Sequence, residues 1–287
     1  WRRVGRPRPT AHRGPDGTGY CEGKDYALGH ARLSIIDIEG GAQPMADRED
    51  QARIVFNGEI YNYRALRRAM GEERFRTCSD TEAILALSAR GEAPEQWVRN
   101  LDGMFAFALV RGNDVILARD PLGIKPLYLG HRKDAVLVAS EIKALAGSSD
   151  VIVEFPPGHV FSSSAGMKRY YSVPTPRAGE EDLAEAEARL LARLDAAVEK
   201  RLIADVPVGV FLSGGLDSSL ISFLARRHQD VLHSFSVCTE DSPDRSRARQ
   251  VAEFLGTLHH ERVFTAAEAL KALPEVIYYL ESFDCAL

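Results

Sequence analysis

A chain of 287 residues, 45% hydrophobic and 27% charged, with 23 Gly and 14 Pro, is long enough for two domains and far from disordered or collagenous compositions. Its 36 Lys and Arg against 41 Asp and Glu leave a net charge of −5, so no basic face for a nucleic-acid partner is expected. The apolar runs, such as Met104 to Val110, are too short to cross a bilayer, no charged-then-apolar leader opens the chain, and the four cysteines stand too far apart for a zinc or redox pair; a cytoplasmic protein with reduced thiols and no membrane partner is expected.

Residues 1–11, WRRVGRPRPTA, carry arginines and prolines without periodicity and begin with Trp rather than Met. They fit an Arg-rich transit peptide or a truncated start, and are set aside as an unreliable or disordered beginning. From Gly29 to about Tyr171 short apolar segments alternate with turn residues: RLSIID, RIVFNGEIYNY, GMFAFALV, VILARD, LYLG, AVLVAS and HVFSS. Helical stretches at Tyr63 to Met70 and Thr81 to Arg90 interrupt them, and an α+β layered domain over 12–172 follows. The Pro- and Gly-containing stretch YSVPTPRAG marks a linker at 173–179.

A second domain over 180–287 opens with Leu183, Ala186, Leu190, Leu194, Val198 and Leu202 near a 3.6-residue period, an amphipathic helix. VPVGVFL then reads as a buried parallel strand, LISFLARRH as a helix and LHSFSV as the next strand, a βαβ unit; helix, short strand and helix complete the chain. Between strand and helix lies SGGLDSS, Ser213 to Ser219, whose glycines permit a tight bend with free amides beside a helix N-terminus, an anion cradle. It has neither the Walker lysine pattern nor GxGxxG. The alternative is a tight turn with Ser213 as N-cap.

In the first domain Arg32, the Asn57-Gly58-Glu59 run and Asp80 stand out. Each has a structural alternative: Asn-Gly between apolar runs is a strong hairpin signal, and Asp80 can cap the helix that starts at Thr81. His259 and His260 are read as structural polar contacts rather than metal ligands, since adjacent histidines converge poorly on one ion.

Taken together with HRGPDG at His12 to Gly17, RDPLGIKPLY at Arg119 to Tyr128 and ASEIKAL at Ala139 to Leu145, the first half resembles the class II glutamine amidotransferase domain, an N-terminal-nucleophile fold. The resemblance implies glutamine as ligand. Arg32 would hold its α-carboxylate, Glu59 and Asp80 its α-ammonium, and Ile35 and Ile36 would lend backbone contacts; the Asn57 amide and Gly58 N–H would form an oxyanion hole. SGGLDSS resembles the pyrophosphate loop of N-type ATP pyrophosphatases, an α/β parallel-sheet fold. That implies ATP held by Leu212, Ser213, Gly214, Gly215, Asp217, Ser218 and Val237, with Asp217 as a ligand for Mg²⁺.

An amidotransferase domain followed by SGGLDSS resembles the asparagine synthetase family from about His12 to Asp284. The family implies ATP-dependent amidation of aspartate through β-aspartyl-AMP with ammonia from glutamine, releasing AMP and pyrophosphate. Its nucleophile is an N-terminal cysteine upstream of HRGPDG, and its chain continues beyond a segment like LESFD. The expectation is therefore an internal piece of such an enzyme that neither hydrolyses glutamine nor makes asparagine itself, with a homodimer left open. The alternatives are a β-lactam-synthetase-like enzyme, favoured by the missing cysteine and disfavoured by Arg32, Glu59 and Asp80, and a ligand-binding chain without catalysis.

Overall fold

The computed structural model describes residues 8–133, 135–175 and 182–281. Most of the opening stretch, the expected linker positions 176–179 and the last six residues lie outside them. The chain divides into two compact units, Trp1–Pro176 and Arg177–Leu287.

Unit 1 begins with an antiparallel pair, β1 (Gly17–Glu22) and β2 (Ala27–Arg32). RLSIID was expected as a strand; the strand instead lies upstream, and only Arg32 at its end belongs to it. The short β3 (Met45–Ala46) and the long β4 (Ala52–Ile60) follow, then α1 (Tyr63–Met70), α2 (Asp80–Ser88) and the single turn α3 (Pro94–Trp97). The central antiparallel ladder is completed by β5 (Gly103–Arg111) and β6 (Asp114–Arg119). β7 (Tyr128–Arg132), β8 (Ala135–Ala139) and β9 (Val151–Glu154) form a separate antiparallel sheet. β10 (His159–Ser162) and β11 (Gly166–Arg169) extend the main sheet beside β6, giving the order β11-β10-β6-β5-β4-β3.

The alternation along β5 explains the layering. Phe105, Phe107 and Leu109 share one fully buried face, where Phe107 stacks on Trp97 at 5.9 Å; Ile84, Leu85 and Leu87 of α2, the helix packed on β4, are equally enclosed. Ala106, Ala108 and Val110 face the other way into a cluster with Leu28, Leu117, Leu127 and Phe155, joined by Leu129 and Val138 of the second sheet. With both faces covered, GMFAFALV is apolar throughout rather than alternating.

Unit 2 carries α4 (Leu183–Glu199), β12 (Gly209–Phe211), α5 (Leu216–His228), β13 (His233–Cys238), α6 (Pro243–Leu255), β14 (Leu258–Val263) and α7 (Ala266–Leu280). Its three strands are parallel in the order β12-β13-β14. The predicted stripe on α4 packs only near its C-terminal end: Val198, Leu194 and Leu202 meet Leu224, Ala225 and Leu232, whereas Leu183 is 71% exposed. The strand expected over VPVGVFL is shorter, because Pro207 has no N–H for a ladder and pairing starts at Gly209. Nor is it buried throughout, since Phe211 is 83% exposed.

Candidate functional site

The unit 1 site grows from one edge of β4. β3 pairs with β4 only at Arg53 and Ile54, and beyond that point side chains occupy the edge. The Phe56 N–H donates to Gln43 Oε1 at 2.7 Å, the Phe56 carbonyl takes a hydrogen bond from His30 Nε2 at 3.0 Å, and the Ile60 N–H donates to Asp80 Oδ2 at 2.9 Å. Strand alternation aims the Gly58 N–H along this same edge, between the two anchored residues. Gly58 has φ +150°, and a Cβ there would lie 2.0 Å from the Met104 carbonyl oxygen. The hairpin reading of Asn57-Gly58 is thus corrected: both lie inside β4, opposite Ala106 and Phe105, and the glycine serves close backbone approach rather than a turn.

A cavity of about 640 Å³ opens beside this edge, and Arg32, Ile35, Ile36, Asn57, Gly58, Glu59 and Asp80 all line it. Asn57 Nδ2 is buried there without a hydrogen-bond partner. A buried donor left unpaired costs about 1–3 kcal/mol, so it marks where an acceptor belongs. Arg32 is held by the 36–38 loop, donating to the carbonyls of Ile36 (3.3 Å), Asp37 (2.6 Å) and Ile38 (2.7 Å). A guanidinium has five donors, so it retains others for an anion.

The carboxylates are strongly perturbed. Burial, with the neighbouring Asp80 charge, pushes Glu59 up to about 8, and Lys125 pulls it back. Burial raises Asp80 to about 6, against the N–H groups of Ile60 and Thr81 and the Ser79 hydroxyl. Ser79, not Asp80, caps α2, accepting from the Thr81 N–H; Asp80 is the first residue of the helix and turns into the cavity.

Sequence reasoning singled out neither His30 nor Lys125, which also line the cavity. Lys125 ends a loop organised by Asp120, which is fully buried and accepts from the N–H groups of Phe105, Leu122, Ile124 and Lys125. Arg119 braces that loop through the carbonyls of Gly123, Lys125 and Phe155. Outside the lining itself, Glu141, 3% exposed, ties His12 (3.0 Å), Lys143 (3.0 Å) and the cavity residue Arg13 (3.2 Å) together. None of the described cysteines Cys21, Cys78 and Cys238 lines the cavity, and burial raises the Cys21 thiol.

In unit 2 the Ser213–Ser218 loop joins β12 to α5. Ser213 Oγ and Ser218 Oγ lie 2.9 Å apart, the Ser213 N–H points to Ser218 Oγ at 3.3 Å, and the Ser218 hydroxyl reaches the Gly215 carbonyl at 3.2 Å. Gly214 has φ +77°, and a Cβ there would lie 2.6 Å from the Ala248 nitrogen. The N-cap of α5 is Gly215 rather than Ser213. Asp217 stands exposed in the first turn of that helix. Leu212 is buried against Ala248 and Ala252, whereas Val237 is 63% exposed. Mg²⁺ is commonly held by one or two carboxylates plus phosphate oxygens, so the single Asp217 carboxylate fits it. Among the described residues no group of three or more His, Cys, Asp or Glu could hold a metal ion. His259 lies between Ser234 Oγ (2.8 Å) and Ser236 Oγ (3.1 Å).

Residues 6–172 match the family described as Glutamine amidotransferase domain, and residues 189–286 the family described as Asparagine synthase. The chain is 42% identical over 291 residues to Asparagine synthetase [glutamine-hydrolyzing] 2 of Arabidopsis thaliana, covering 96% of this chain and 50% of that one. It is 41% identical over 291 residues to Asparagine synthetase [glutamine-hydrolyzing] of Zea mays, covering 96% and 49%. The chain thus spans about half the length of the curated relatives it matches. A solved glutamine phosphoribosylpyrophosphate amidotransferase from B. subtilis, complexed with ADP and GMP, is similar at 20% identity and TM-score 0.49, over 93% of this chain and 66% of that one. No described helix is long and apolar enough to cross a membrane.

Proposed function

Since this chain belongs to the glutamine amidotransferase domain family and is a homologue of the asparagine synthetases, we propose that unit 1 binds glutamine and unit 2 the phosphates of ATP. Together they serve the amidation of aspartate to asparagine, with AMP and pyrophosphate as products. The observation that carries the reading is the buried, unpaired Asn57 Nδ2 beside the Gly58 edge. There the Asn57 amide and Gly58 N–H stabilise negative charge developing on the carboxamide oxygen, as donors fixed in advance by the strand. Arg32 takes the α-carboxylate, Glu59 and Asp80 take the α-ammonium, and Ile35 and Ile36 close the wall.

In unit 2 the backbone of Ser213, Gly214 and Gly215, with the Ser218 hydroxyl, cradles the pyrophosphate portion of ATP at the N-terminus of α5. Leu212 and Val237 contact the nucleotide. Mg²⁺, when bound, offsets phosphate charge, and Asp217 is the residue that would hold it. Titration calorimetry tests both halves: Asn57→Ala should weaken glutamine binding and leave pyrophosphate binding unchanged, and Asp217→Ala the reverse. Glutamine binding indifferent to Asn57→Ala would overturn the assignment.

A further inference from the structure

His30 lies on β2 and, like Asn57, lines the unit 1 cavity. A carbonyl oxygen only accepts, so the Phe56 carbonyl, 3.0 Å away, fixes the hydrogen on His30 Nε2. The neutral ring then presents a bare lone pair at Nδ1. That atom is buried and has no hydrogen-bond partner. Burial and the nearby Arg32 charge both hold the imidazole below its ordinary range, which keeps the lone pair available.

Asn57 and His30 thus both line the cavity, each with one buried polar atom that lacks a partner, a donor at Asn57 Nδ2 and an acceptor at His30 Nδ1, and the ring that bears the acceptor is anchored to the residue preceding Asn57. A primary carboxamide satisfies both: its oxygen needs a donor and its NH₂ needs an acceptor. A carboxylate offers only acceptors and would set an oxygen lone pair against that of Nδ1. A site built to receive an N–H rejects the analogue that lacks one, because the buried group is left unpaired.

We propose that His30 is a specificity-determining residue, accepting a hydrogen bond from the carboxamide NH₂ of bound glutamine and so excluding glutamate. This rests on the reading of the cavity as a glutamine site. Calorimetry on the full chain tests it with three ligands: glutamine, glutamate and glutamate γ-methyl ester, a neutral analogue of similar size without the N–H. The unaltered chain should prefer glutamine over both by roughly 100-fold. His30→Gln offers a donor to the Phe56 carbonyl but no ring acceptor, and should reduce both preferences by about 10-fold or more through weaker glutamine binding alone.

An ester that binds the unaltered chain as tightly as glutamine would overturn the proposal without recourse to any variant. So would a His30→Gln chain whose ligands all weaken by the same factor, the signature of a merely structural histidine. Binding of none of the three ligands would remove the glutamine reading itself and the proposal with it. Glutamine binding that is lost in Arg32→Ala yet keeps its preference in His30→Gln would retain the site and reject only the role of His30.

Discussion

At the scale of single residues, Glu59 makes the site sensitive to protons. Its folded value of about 8 lies above the ordinary 4.5, so the native state holds a proton that the unfolded chain has lost across that window. Stability contributed by this group is therefore lost as pH rises from 4.5 toward 8, and Glu59→Gln should melt progressively higher than the unaltered chain over the same range, by a few degrees at its upper end. Melting curves that keep a constant offset across pH would contradict this. An α-ammonium placed beside Glu59 favours its carboxylate, so glutamine binding at neutral pH should release a proton. Calorimetry in buffers of different ionisation enthalpy reads that number directly. Arg32→Ala should weaken glutamine binding by about 10- to 100-fold, and Arg32→Lys should not restore it, because an ammonium lacks the planar fork that can span the loop carbonyls and a carboxylate at once.

At the scale of elements, β4 and the β12–α5 loop each depend on a glycine in close contact with backbone. Gly58→Ala would drive a Cβ into the Met104 carbonyl at 2.0 Å, and should cost about 2–4 kcal/mol in urea unfolding. Much of this layout was legible in sequence. α1 follows its predicted limits, and the apolar run of β5 signals a strand covered on both faces. What escaped was any role set by contacts between distant segments. Asn57-Gly58 has the local chemistry of a turn, and only pairing with β5, some fifty positions away, makes it a strand. His30 carries no local signal at all; its significance arises where β2 meets the open edge of β4. The stripe on α4 predicted a face but not how far along it the neighbours reach.

At the scale of the whole chain, each unit has its own enclosed apolar cluster: one around Ala108, Leu117 and Phe155, the other around Val198, Leu224 and Leu232. Scanning calorimetry should accordingly resolve two unfolding transitions, with glutamine raising one and pyrophosphate the other. A single transition raised equally by both ligands would contradict this independence.

The edge of β4 has a consequence for solubility. A strand with unpaired N–H and C=O groups is a template for a strand from another molecule, and proteins blunt such edges by covering them. Here Gln43, His30 and Asp80 cover it, engaging the backbone of Phe56 and Ile60 where a neighbouring strand would otherwise dock. The side chains that shape the cavity thus also guard the sheet against self-association, and removing Gln43 and His30 together would invite intermolecular strand pairing.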